Sequence, residues 1–84
     1  MKENKVNVEL IVPSLGKKYN IFVPVNKTVG EVIVILNKTL NEMTGCFPMN
    51  NKLFILDVID NVIYEYDAEI KNSGIKNGSI LALI

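Results

Sequence analysis

The residues of this chain that could do chemistry are few. Its 84 residues contain no histidine, so the commonest general base and metal ligand is missing. Cys46 is a lone cysteine. Without a histidine beside it or a second thiol, it fits neither an activated nucleophile nor a zinc or iron–sulfur site, and it reads as a loop or half-buried thiol next to a helix end. It cannot close an internal disulfide, which suits a reducing compartment. Asp57, Asp60, Glu65, Asp67 and Glu69 form a loose acidic group. Their spacing lacks the order of an EF-hand loop, and they read as the solvated face of a hairpin. Lys17-Lys18 reads as a solubilising loop pair, and no glycine-rich phosphate loop is present. The expectation is therefore a non-enzymatic protein with no catalytic residue, no cofactor and no metal.

Charge narrows the partners. Nine basic residues balance nine acidic ones for a net charge of zero, and every basic residue is lysine. Without arginine there is no bidentate fork for phosphate or guanine, so nucleic acid is not an expected partner. The N-terminus, MKENK, leads directly into alternating sequence without the apolar core of a signal peptide. The apolar run from Val32 to Leu36 is far too short to span a bilayer. These readings predict a cytoplasmic protein with no direct membrane insertion.

The elements that must position any surface can be read from periodicity. The stretch Thr28 to Gly45 is the organising helix. Thr28 with Glu31 three residues on is a capping-box signature. Val29, Val32, Ile33, Leu36, Leu40 and Met43 recur at spacings of three and four, which predicts one apolar stripe. Gly45 is a natural residue to end the helix, and Pro48 bars its continuation. Around it lie strands. Val6, Val8, Leu10 and Val12 alternate across Lys5 to Val12, and Tyr19, Ile21, Val23 and Val25 alternate across Tyr19 to Val25; a loop at 13–18 makes the two a hairpin. Pro24 cannot donate to a ladder and so places the second strand at a sheet edge. Lys52 to Val58 reads as a third strand, Ile59-Asp60-Asn61 as a tight turn and Val62 to Tyr66 as a fourth strand. Residues 67–77 read as a turn or short 3₁₀ segment anchored by Ile70 and Ile75. Asn77-Gly78 reads as a turn feeding a last strand, Ser79 to Ile84, rather than as a hairpin turn of its own. That strand is apolar at nearly every position, as a central strand is. One amphipathic helix among strands needs a sheet face to lie on. The order predicts a single α+β domain over 1–84, with a frayed 1–4 tail: a β-grasp, a mixed four- to five-stranded sheet whose first and last strands are parallel neighbours.

This order resembles ubiquitin from Val6 to Ile84, in Thr28-Val29 opening the helix, Leu53-Phe54-Ile55 in the third strand, and the run from Ile70 through Ile75 to Ser79-Ile80-Leu81-Ala82-Leu83. The pattern Ile70-Lys71-Asn72-Ser73-Gly74-Ile75-Lys76-Asn77-Gly78-Ser79-Ile80-Leu81, and the chain's length of one bare domain, resemble the small YukD/EsaB proteins of the type VII (WXG100-type) secretion systems of Gram-positive bacteria. That resemblance implies a ubiquitin-like accessory protein with no reaction of its own. It docks on a protein partner such as the cytosolic part of a secretion membrane subunit, which would recruit it to the inner face of the membrane. A carrier or modifier is the alternative, and a self-associating homodimer another. The carrier reading is disfavoured because the sequence closes on Leu81-Ala82-Leu83-Ile84 where ubiquitin and the related sulfur carriers have a flexible Gly-Gly tail.

The sequence also carries a surplus of apolar residues pointing away from the helix. Strand parity puts Leu53, Ile55, Leu81 and Leu83 inward, and Phe54, Leu56, Ala82 and Ile84 outward. Phe22 and Ile11 face outward on the first hairpin, and Val34 and Ile35 fall off the helix stripe. Phe54, Leu56, Ala82, Ile84, Phe22 and Ile11 are therefore the predicted protein-interaction residues. A contiguous apolar patch above a few hundred Å² usually marks an interface.

Overall fold

The computed structural model describes residues 4–45 and 52–84. Cys46 and Pro48, on which two sequence expectations rest, lie outside the described residues. In chain order the elements are β1 (Lys5–Val12), a 3₁₀ turn (Pro13–Leu15), β2 (Lys17–Pro24), α1 (Val29–Thr44), β3 (Ile55–Asp57), β4 (Val62–Ile63), α2 (Ile70–Ser73) and β5 (Ile80–Leu83). The five strands form one sheet in the order β2-β1-β5-β3-β4. β1 and β5 are parallel neighbours in its centre, and every other pairing is antiparallel.

The first hairpin shows why Pro24 is tolerated. Val25 donates its N–H to the Asn4 carbonyl at 2.9 Å. Bonded and unbonded pairs alternate along an antiparallel ladder, so in the register Lys5 opposite Pro24 the position of Pro24 points away from β1. The N–H that proline lacks would have faced the open edge of the sheet.

The helix forms where the capping box puts it. The Thr28 N–H donates to Glu31 Oε1 at 2.9 Å, and the Glu31 N–H returns a bond to Thr28 Oγ1 at 3.2 Å. Gly45 ends the helix in the left-handed region at φ 71°, a conformation that costs glycine nothing. The two N–H groups that the box leaves over are taken from across the molecule: Val29 donates to the Ala68 carbonyl and Gly30 to the Tyr66 carbonyl, both at 2.8 Å. The exchange is mutual. Ile70 and Lys71, at the start of α2, donate to the carbonyls of Lys27 and Val25. Each helix start is thus satisfied by the loop that enters the other.

The structure departs from the sequence reading in three places. The fourth strand does not run to Tyr66. Its ladder stops at Ile63 because the chain bends through a turn, with Ala68 donating to the Glu65 carbonyl, to deliver Tyr66 and Ala68 to α1. The segment 67–77 contains one α-helical turn rather than 3₁₀ structure, and Ser73 closes it by donating its hydroxyl to the Ile70 carbonyl at 2.7 Å. The third strand pairs as β3 from Ile55, although Phe54 still exchanges both backbone bonds with Ile84.

One core lies between α1 and the inner sheet face. Val8, Leu10, Val12, Val23, Ile55, Leu81 and Leu83 supply the sheet side; Val29, Val32, Ile33 and Leu40 supply the helix; Ile70 of α2 and Ile75 just after it complete the cluster. The predicted stripe needs two corrections. Met43, in the last turn, is largely exposed, and Asn37 is buried. The buried positions, with the half-buried Leu36, follow two adjacent i, i+4 rows, Val29-Ile33-Asn37 and Val32-Leu36-Leu40, and the rows end before Met43.

Candidate protein-interaction surface

The outer sheet face is assembled by register. Ala82 is flanked by Ile11 on one side and Leu56 on the other, and Leu56 in turn faces Ile63. These four make one apolar row across four strands. Phe54 and Ile84 form a second row, joined by paired backbone bonds of 2.8 and 2.9 Å. Parity placed Phe54, Leu56, Ala82, Ile84 and Ile11 on this face correctly, and the structure brings them together.

They are not equally available. Phe54 is 40% exposed and Ile84 46%, so both present contact area; Leu56 and Ile11 are half-buried. Ala82 is 6% exposed. A methyl group between two larger aliphatic side chains forms the floor of the row and offers almost no surface of its own. Its expected role as a contact residue is corrected on that ground. Phe22 is highly exposed but lies opposite Asn7 near the far end of the edge strand, with Glu9 and Asn20 paired between it and the Ile11 row. It is separate from the patch. Ile63, at 55% exposed, also belongs to the patch, although it is not among the residues predicted from sequence. The alternation Val62-Ile63-Tyr64 carries the signal, but so short a run does not by itself say which face each residue takes.

Phe54 is held rigidly. Its ring stacks on Tyr66 with centroids 5.3 Å apart and planes 13° from parallel. The Tyr66 hydroxyl donates to the Leu53 carbonyl at 2.8 Å, which pins the tyrosine against the same strand. An aromatic anchor fixed before binding loses little side-chain freedom on contact.

Among the described residues, those of the acidic group included, no three such side chains are placed to hold a metal ion. Asp57 is instead structural and corrects the expectation of a solvated hairpin. It is 9% exposed. Its Oδ1 accepts from the Ile59 and Asp60 N–H groups at 2.9 and 3.0 Å, and its Oδ2 accepts from the Tyr64 hydroxyl at 3.2 Å. The Asp60 N–H chiefly, with the Ile59 N–H and the Tyr64 hydroxyl, holds its carboxyl below the ordinary value against the opposing effect of burial. Burial, reinforced by the Asp57 charge, pushes the Tyr64 phenol up to about 12. A shallow polar depression of about 340 Å³ borders this cluster, between the β3–β4 turn and Gly74–Ile80. Both Asp57 carboxylate oxygens already accept hydrogen bonds, one within the turn and one from Tyr64.

No protein-family model matches the chain, and no curated protein matches it in sequence. Solved structures do match. The ubiquitin-like domain of the Mycobacterium tuberculosis type VII secretion system protein ECCD1 is 13% identical, over 98% of this chain and 99% of that one, with a TM-score of 0.72. The fold is therefore a ubiquitin-like β-grasp. A chain of the MycP5-free ESX-5 inner membrane complex contains the same fold, at 16% identity and a TM-score of 0.69, over 98% of this chain but 21% of that one. The ubiquitin-like domain of an Arabidopsis thaliana protein matches at 16% identity and a TM-score of 0.65, over 98% of this chain and 78% of that one. At these identities the likeness is one of fold, and a β-grasp alone does not assign a function. Among the described residues, no helix of this ubiquitin-like domain is long and apolar enough to cross a membrane.

Proposed function

We propose that this ubiquitin-like domain is a non-enzymatic docking module, an accessory of a type VII (WXG100-type) secretion system of the YukD/EsaB kind. It works in the cytoplasm of a Gram-positive bacterium and binds the cytosolic part of a membrane subunit. The observation that carries the reading is the outer sheet face, where the exposed Phe54, Ile84 and Ile63 stand beside the Ile11–Ala82–Leu56 row. A rigid aromatic within a continuous apolar patch is the anatomy of a binding hot spot. The fold shared with the ECCD1 domain and with part of an inner membrane complex supports the choice of system.

Affinity purification from the native host, with the chain tagged, tests the proposal. A secretion-system membrane subunit is expected to co-purify with the wild type and to be lost with Phe54→Asp and with Ile84→Lys. Phe54 also stacks on Tyr66, so its loss is expected to cost about 0.5–1.5 kcal/mol of stability as well. Melting curves separate that effect from lost binding, and Ile84→Lys leaves the stack intact. Recovery of no secretion component, or undiminished recovery with both variants, would overturn the reading.

A further inference from the structure

The Asn77-Gly78 turn carries a chemistry that the docking surface does not use. Asn77 alone among the asparagines of the chain precedes a glycine. A glycine has no side chain to hinder the approach of its own nitrogen, so that nitrogen can close on the amide carbon of the asparagine before it. Both residues are exposed, and water reaches them.

The fold engages both reacting groups. Asn7 lies opposite Phe22 at a position that, by the ladder alternation described above, makes no backbone bonds to β2. Its N–H and C=O therefore point toward β5. Glu9 donates to the Ser79 carbonyl at 2.9 Å. Continued two residues back, that parallel ladder would give the Asn7 N–H to the Asn77 carbonyl. The Asn7 N–H donates instead to the side chain, at Asn77 Oδ1, at 2.7 Å. The Asn7 carbonyl accepts from the Gly78 N–H at 2.9 Å. One residue of β1 thus grips both the amide that would be attacked and the nitrogen that would attack it. The turn is closed on itself as well: the Lys76 N–H donates to Ser79 Oγ, and the Ser79 N–H to the Lys76 carbonyl, both at 3.0 Å.

We propose that Asn77 is a site of spontaneous deamidation gated by this grip, so that its modification counts the openings of the turn that leads into β5. The inference stands apart from the docking role of the outer face. The Gly78 nitrogen bonds to Asn77 Cγ, the Cγ–Nδ2 bond breaks, and the Gly78 proton leaves with that nitrogen as ammonia. Water then opens the succinimide ring at either carbonyl, its hydroxyl going to the carbon and its proton to the ring nitrogen. The product at position 77 is aspartate or isoaspartate, and nothing is oxidised or reduced. The ring nitrogen carries no hydrogen, so the Gly78–Asn7 bond is lost as the ring forms. The two products differ in what they restore. Aspartate keeps the main chain and an oxygen for the Asn7 N–H. Isoaspartate routes the main chain through the former side chain and lengthens it by one carbon. Its carbonyl and the Gly78 N–H then belong to one trans peptide unit and point opposite ways. They can no longer both face Asn7.

Peptide mapping by mass spectrometry tests this on the full chain, held at mildly alkaline pH either folded or in denaturant. In denaturant, conversion of amide to acid is expected first at Asn77. In the folded chain it is expected to be slower there by about tenfold or more, because the bonds to Asn7 must open first. A folded rate too slow to measure meets the same expectation. Ser79→Ala removes the acceptor of the Lys76 N–H. It is expected to speed the folded reaction several-fold and to leave the rate in denaturant unchanged. The isoaspartyl form, separated by chromatography, is expected to melt several degrees below Asn77→Asp. Equal rates in the folded and denatured chain overturn the proposal. So does another asparagine that reacts ahead of Asn77 in denaturant, a folded Ser79→Ala chain no faster than wild type, or an isoaspartyl form as stable as Asn77→Asp.

Discussion

At the scale of single residues, Asp57 and Tyr64 make the stability of this domain depend on pH from both sides. The folded carboxyls of Asp57 and Glu31 lie below their ordinary values, the latter because the Thr28 N–H and hydroxyl donate to it. Above the unfolded values near pH 4 their contribution is complete, and it is lost as pH falls through the lower folded values. Tyr64 acts in the opposite sense. Its folded value is raised from 10.0 to about 12, so its contribution is complete below pH 10 and is lost as pH rises toward 12. Denaturant titrations across pH should show a shallower acid limb in Asp57→Asn and a shallower alkaline limb in Tyr64→Phe. At neutral pH Asp57→Ala should lose about 1–3 kcal/mol, because two turn N–H groups and a phenol lose their acceptor. Little of this was legible beforehand. The sequence shows Asp57 as one of five nearby acids, and only the path of the turn decides which acid the Ile59 and Asp60 N–H groups reach. The sidedness of Phe54 and Leu56 was legible, because parity depends on their own strand. The burial of Ala82 was not, because it depends on which residues the neighbouring strands set beside it.

At the scale of elements, the start of α1 is the joint on which the domain is assembled, and two substitutions separate its parts. Thr28→Ala removes the acceptor of the capping box and should cost about 1 kcal/mol in chemical denaturation. Gly30→Ala would be stabilising by about 1 kcal/mol if helix propensity alone decided. The Cβ it adds would sit 3.1 Å from the Tyr66 carbonyl oxygen, tighter than ordinary contact, at the spot where the Gly30 N–H bonds that same oxygen. The expected outcome is no gain and a loss of up to about 2 kcal/mol, as for modest overpacking. A clear gain would show that the 64–68 segment yields freely. The cap and the helix span could be read in advance because Thr28, Glu31 and Gly45 act within a few residues of themselves. The docking of Tyr66 and Ala68 could not. Val62-Ile63-Tyr64-Glu65-Tyr66 has the composition of a strand, and the ladder is cut short by demands made from α1, more than thirty positions away in sequence.

For the molecule as a whole, strand order was readable from two composition signals: the proline that marks β2 as an edge, and the unbroken apolar run that marks β5 as central. The central pair also carries the largest stability risk. Leu10 is 1% exposed and pairs with Leu81 at 2%. Leu10→Ala should cost about 2–5 kcal/mol in a denaturant melt, a large share of the roughly 5–15 kcal/mol available to a domain. The parallel alignment of β1 and β5 has one more consequence, in mechanics. If a tether drew on the chain ahead of Lys5 while another drew on it beyond Leu83, the two strands would be pulled lengthwise past each other. Load would then fall on all their rungs at once, whereas the outer hairpin, held by a single turn, would open like a zipper. Pulled from those two points, the fold should behave as a clasp whose grip is strongest along the line joining them.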